Sequence, residues 1–137
     1  EIIKYGVSPS HLTSMVVHEY LKTHKTQYVS NVEKSLQLKR DAMLQSLGEY
    51  FPPSCSWSEP NGGMMIWVNL PEGTDTWNAL DRAVERGVKY NPGPIFRSDR
   101  EARNQLRLTF SHNSPEEIKE GIAILADVFE KEGFFNE

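Results

Sequence analysis

The sequence predicts an α+β fold, a small mixed β-sheet with helices packed on it, preceded by a long helical segment. Three observations carry this. Apolar side chains recur at helical spacing over the first fifty or so residues. Two short runs, residues 64–70 and 106–111, read as strands, and capping signals open helices at Thr74-Asp75-Thr76 and Ser114-Pro115. A length of 137 residues with 38% hydrophobic content suits one core rather than two complete domains. Residues 1–52 are expected to form the helical segment and residues 53–137 the α+β part of a single compact unit.

Taken in order, Ser8-Pro9 reads as a helix N-cap followed by proline at the first helical position, where its missing N–H costs nothing. A helix is predicted from there to about Lys25, with Leu12, Met15, Val16 and Tyr20 at helical spacing. A second, longer helix follows. Its stripe is Val29, Val32, Leu36, Met43, Leu47 and Phe51, and Pro52-Pro53 ends it. Arg40 interrupts the stripe, as a snorkelling or paired arginine would. Gly62-Gly63 opens the run 64–70 and Pro71 closes it. Apolar residues on both alternating faces predict a strand covered on both sides.

The next helix is expected to bury Trp77, Leu80, Ala83 and Val84, with Gly87 as its stop. A short strand at 88–90 should follow. Asn91-Pro92-Gly93-Pro94 reads as a turn, and the charged stretch 97–103 as a solvated loop. In the run 106–111, alternation puts Leu106, Leu108 and Phe110 on one face and Arg107, Thr109 and Ser111 on the other. Ser114-Pro115-Glu116-Glu117 is a capping box leading into Ile118, Ile122, Leu125 and Phe129, and Gly133 ends that helix. The sequence contains no internal repeat and no low-complexity segment.

Several function classes recede on composition. A net charge of -4, with basic and acidic residues intermixed, argues against nucleic acid as a direct partner. Cys55 stands alone, which rules out an internal disulfide framework and a cysteine metal cluster, and its thiol is expected to be structural and inert. No apolar run approaches the roughly 18 residues a membrane crossing needs, and no signal pattern opens the chain. A soluble, cytoplasmic protein without a membrane partner is expected. The start at Glu1, without an initiator Met, is the pattern of a processed or trimmed product. His11 and His18 could share a helix face, but no carboxylate pair completes a metal site, so they read as solvated. His112 reads as a loop histidine. Trp57, Trp67 and Trp77 read as core or interdomain packing.

Arg107 is the residue with chemical promise, because a planar guanidinium fork can hold both oxygens of a carboxylate. On pattern alone, a solvated or salt-bridged strand arginine is the simpler reading. A resemblance changes this. Gly62-Gly63-Met64-Met65-Ile66-Trp67-Val68-Asn69-Leu70-Pro71, then Asn91-Pro92-Gly93 followed by Phe96, then Asn104-Gln105-Leu106-Arg107-Leu108-Thr109-Phe110-Ser111 come in the order and approximate spacing of one group of pyridoxal-phosphate (PLP) aminotransferases. The group includes 2-aminoadipate and kynurenine aminotransferases and the aminotransferase-like half of MocR-type regulators. The Ser8-Pro9-Ser10 helix and Lys39-Arg40-Asp41-Ala42-Met43 are also similar to segments upstream of the glycine pair.

The chain thus resembles the C-terminal small domain of a fold type I aminotransferase. The resemblance implies that Arg107 grips the α-carboxylate of the substrate and that Phe96 lies near its side chain. After Pro-Gly the group usually carries small residues, whereas Pro94, Ile95 and Arg97 stand here, so the resemblance leaves side-chain specificity open. It also implies that the catalytic lysine, the groups on the cofactor phosphate and the aspartate on the pyridine nitrogen lie upstream. No lysine of this chain has the serine-rich, arginine-flanked setting of the family's lysine. The expectation is therefore a C-terminal fragment of a homodimeric PLP aminotransferase, inert alone, with a missing large domain or dimer partner covering the face of Met65 and Trp67. Two alternatives stay open: the effector domain of a MocR-type transcription regulator, and a free-standing small-molecule binding module of ferredoxin-like shape.

Overall fold

The computed structural model describes residues 10–135. The Ser8-Pro9 cap lies outside the described residues. Among the described residues Ser10 makes the first helical contacts: its Oγ accepts from the Thr13 amide at 3.4 Å, and its carbonyl from the Ser14 amide at 3.0 Å. The chain divides into two compact units between Ser35 and Leu36.

One continuous helix, α1 (His11–Tyr50), replaces the two expected. Lys25-Thr26-Gln27-Tyr28 contains neither glycine nor proline, so nothing there interrupts the hydrogen-bond ladder. Side chains bridge this stretch as well. Tyr20 stacks on His24 at 4.6 Å, and Gln27 Nε2 donates to Asn31 Oδ1 at 3.0 Å. In the first unit the expected stripe of Leu12, Met15, Val16 and Tyr20 is exposed.

The second unit begins in the last turns of α1, where Met43, Ser46 and Leu47 are buried and Phe51 follows just past the helix end. Four strands form its sheet: β1 (Ser56–Trp57), β2 (Met65–Asn69), β3 (Asn91–Pro92) and β4 (Gln105–Thr109), in the order β1-β2-β4-β3. All three ladders are antiparallel, where a mixed sheet was expected. The sheet, with α2 (Leu80–Glu85) and α3 (Pro115–Lys131), gives the α+β class the sequence predicts. One sheet face carries Ile66, Val68, Leu106 and Leu108 into a core shared with Ile122, Leu125 and Phe129. Phe129 is fully buried and meets Phe51 and Tyr90 at 6.1 and 5.7 Å between ring centroids.

Three local expectations need correction. The run 64–70 is fully buried only at Ile66, Val68 and Leu70; on the opposite face Met65 is 42% exposed and Trp67 and Asn69 are half-buried. Trp77 and Val84 also point outward, at 44% and 48% exposure, and the inner side of the α2 region is Thr76, Ala79 and Ala83. Thr76 fixes that rotation, because its buried hydroxyl lies 2.9 Å from the Arg103 carbonyl and 2.8 Å from the Gln105 carbonyl. Finally, residues 88–90 are not a strand. The Val88 amide donates back to the Ala83 carbonyl as the chain leaves α2 through Gly87 (φ 85°), and Tyr90 turns inward to donate from its hydroxyl to the Thr76 carbonyl at 2.6 Å. Pairing starts at Asn91–Pro92 instead, an edge position where proline is tolerated.

The α3 capping box forms as read. Ser114 Oγ accepts from the Glu117 amide at 3.2 Å, while the Glu117 carboxylate accepts from the Ser114 amide at 2.7 Å. Ion pairs Arg86–Asp127 and Arg82–Glu132 link α2 to α3.

Candidate carboxylate site

The face of the sheet opposite the core carries Arg107. The pairing register sets Trp67 of β2 directly across from it on one side and Asn91 of β3 on the other. Residues opposite each other in an antiparallel ladder point to the same face, so these three side chains form a row. Phe96 joins them from outside the sheet, at the end of a 3-10 helix (Gly93–Phe96) that continues β3. Its ring centroid lies 4.6 Å from Arg107 Cζ and 5.4 Å from the Trp67 ring, which it meets edge-on at 71°. The two residues singled out in the sequence, Arg107 and Phe96, are thus in contact.

Two features make this arrangement chemically pointed. Arg107 Nε is buried and has no hydrogen-bond partner in the structure. Buried donors are nearly always satisfied, so an orphaned charged one marks a place where a partner belongs. Arg107 Cζ lies over the Phe96 ring, a cation–π contact that sets an apolar wall beside the charge.

Gly93 is what lets the ring arrive. A Cβ at Gly93 would overlap the Ala102 carbonyl oxygen and stand 2.9 Å from both Cβ and O of Gln105. Only glycine permits this approach, and it sets the 3-10 turn against the chain entering β4.

Arg97, the other arginine of this loop, is engaged elsewhere. Its Nε and Nη2 donate to the Asp99 carboxylate at 3.0 and 2.7 Å. Arg97 and the Glu101 amide hold the Asp99 carboxyl down at about 2. His112 is exposed, His11 and His18 lie exposed on α1, and the described residues contain no cluster of three metal-ligating side chains. No described helix is long and apolar enough to cross a membrane. Trp57 packs on the core as expected, whereas Trp67, read only as packing, belongs to the site.

No protein-family model matches the sequence. Over 106 residues, 77% of the chain, it is 40% identical to aromatic-amino-acid aminotransferase 1 of Thermococcus litoralis. The structure matches LysN, the α-aminoadipate aminotransferase of Thermus thermophilus, with a TM-score of 0.80 and 32% identity over 85% of the chain. The chain belongs to the fold type I aminotransferase family. This aminotransferase domain spans 25% of the Thermococcus protein and 30% of LysN, about a quarter to a third of either. The HTH-type transcriptional regulator NorG of Staphylococcus aureus is also related, at 30% identity over 88% of the chain and 26% of its own length.

Proposed function

We propose that this chain is the substrate-carboxylate-binding part of a PLP-dependent aminotransferase that moves an amino group between an amino acid and a 2-oxo acid. The observation that carries the proposal is the guanidinium of Arg107, with its Nε buried and unpartnered and its Cζ over the Phe96 ring. A carboxylate is the ligand that such a fork accepts in two parallel, charge-assisted contacts. Gripping the carboxylate orients the neighbouring Cα. Phe96 then borders the variable side chain. LysN was solved with an amino acid, leucine, joined to the phosphopyridoxyl group, and that adduct has the same free carboxylate to offer.

The described residues do not fit the cofactor itself. Lys22, Lys119 and Lys131 pair with surface carboxylates, Lys39 donates to the Ser111 and His112 carbonyls, and Lys25, Lys34 and Lys89 are exposed. None occupies the desolvated pocket that activates a Schiff-base lysine. PLP supplies an electron sink at the substrate α-carbon, and in this reading it is held by other parts of a longer, homodimeric protein. The chain by itself is expected to be inert.

A second reading, a transcription regulator that would bind PLP as an effector, has its own support in the relation to NorG, an HTH-type transcriptional regulator. An assay of the longer protein carrying this chain, with PLP, an amino acid and a 2-oxo acid, separates them. Sustained amino transfer supports the enzyme. PLP binding without turnover, together with retention of specific DNA, supports the regulator. For the isolated chain, borohydride reduction after PLP should label surface lysines diffusely. One stoichiometric, saturable lysine would overturn the assignment of cofactor chemistry to other parts.

A further inference from the structure

We infer that Trp67 is a positioning residue for the Arg107 grip, acting through the ring of Phe96; the inference rests on the carboxylate-binding reading of Arg107. Arg107 has rotatable bonds to spare, and its buried Nε has no hydrogen-bond partner among the described residues to fix it. The cation–π contact with the Phe96 ring is what holds the guanidinium in place. Phe96 is itself 42% exposed and stands at the end of a four-residue 3-10 helix, so its ring needs a lateral stop. On the backbone side that stop is the close fit of Gly93 against Ala102 and Gln105. On the sheet side it is Trp67, in a T-shaped contact with Phe96 at 5.4 Å and in register with Arg107.

The three side chains therefore form a clamp, Trp67 against Phe96 and Phe96 over Arg107, in which the residue remote from the carboxylate sets the angle of the one that binds it. Ordering the fork in advance lowers the conformational entropy lost on binding, the general advantage of a pre-organised site.

The test uses the 15N-labelled chain and the Arg107 Nε–H resonance, which the ring of Phe96 should displace upfield. Trp67→Ala should return this signal toward the position of a free arginine. It should also weaken the binding of pyruvate, followed at the same resonance, roughly two- to tenfold, the span of one aromatic pair. Trp67→Phe, which keeps a ring edge at the contact, should restore both. Trp67→Leu, which keeps apolar bulk without the edge, should behave as Ala and replaces it if the amide spectrum of the alanine variant shows loss of fold. An Nε–H signal and a pyruvate affinity unchanged in a folded Trp67→Ala or Trp67→Leu variant would overturn the inference. If the unaltered chain binds no pyruvate while its Nε–H signal still depends on Trp67, the carboxylate reading fails and the positioning contact stands.

Discussion

Gly93→Ala is the substitution on which the placement of Phe96 depends most sharply. The added methyl group would overlap the Ala102 carbonyl oxygen and press on Gln105 at 2.9 Å. Two of those three neighbouring atoms are main chain, so no rotamer change relieves the overlap and either the 93–96 turn or the 102–105 segment must move. Overpacking of this kind costs roughly 1–3 kcal/mol. Gly48 provides the matched contrast. It lies exposed within α1, and a Cβ there meets nothing within 4 Å. Gly48→Ala should stabilise by about 0.5–1 kcal/mol, because alanine loses less backbone freedom in a helix. Urea titrations followed by circular dichroism should thus give the two variants midpoints on opposite sides of the unaltered protein. The displaced turn should also free the Arg107 Nε–H signal from its ring shift. A Gly93→Ala variant as stable as the parent, with that signal unmoved, would refute the close-approach argument.

Other consequences follow from particular contacts. Phe129→Ala removes a fully buried ring that touches Phe51, Tyr90 and Phe134, and should cost about 3–5 kcal/mol by denaturant titration; a loss below roughly 1 kcal/mol would mean the core is not centred there. The Asp99 carboxyl is held at about 2, below its ordinary value, so the Arg97–Asp99 contact should be intact above about pH 4 and lost as pH falls through the folded value. A 13C carboxyl titration reads this directly, and a midpoint near 4 would show the pair to be absent in solution. Burial pushes the Cys55 thiol up to about 11, so aromatic disulfide reagents should label it only as fast as the domain opens; rapid labelling in native buffer would contradict its place in the core.

What the sequence makes legible is what neighbouring residues decide among themselves. The Ser114 to Glu117 box, the stops at Gly87 and Gly133 with φ of 85° and 75°, and the alternation of Leu106, Arg107 and Leu108 are all local, and all stand in the structure. The outward turn of Trp77 and Val84 was not legible, because Thr76 is anchored by carbonyls 27 and 29 residues away. Nor was β1, whose two residues, Ser56 and Trp57, are too few to show a period and are defined only by their pairing with β2. The helix expected to end about Lys25 and the longer one after it are one helix, because nothing between their two apolar stripes breaks the hydrogen-bond ladder. For the site, alternation alone put Arg107 on the face away from the leucines. Its meeting with Trp67 and Phe96 depends on the β2–β4 register and on the fit at Gly93, and neither is written in the residues flanking Arg107.

The Arg107 fork is the group on which the proposed chemistry depends. In the longer protein that carries this chain, kcat/KM should be measured for a series of amino acids before and after Arg107→Lys, with PLP occupancy checked by absorbance. Lysine keeps the charge but loses the two-pronged geometry, so kcat/KM should fall at least about 30-fold, roughly 2 kcal/mol, by a similar factor for every substrate, since all share the carboxylate. Near-normal kcat/KM for the best amino acid, with the cofactor still bound, would contradict the assignment of Arg107 to the substrate carboxylate.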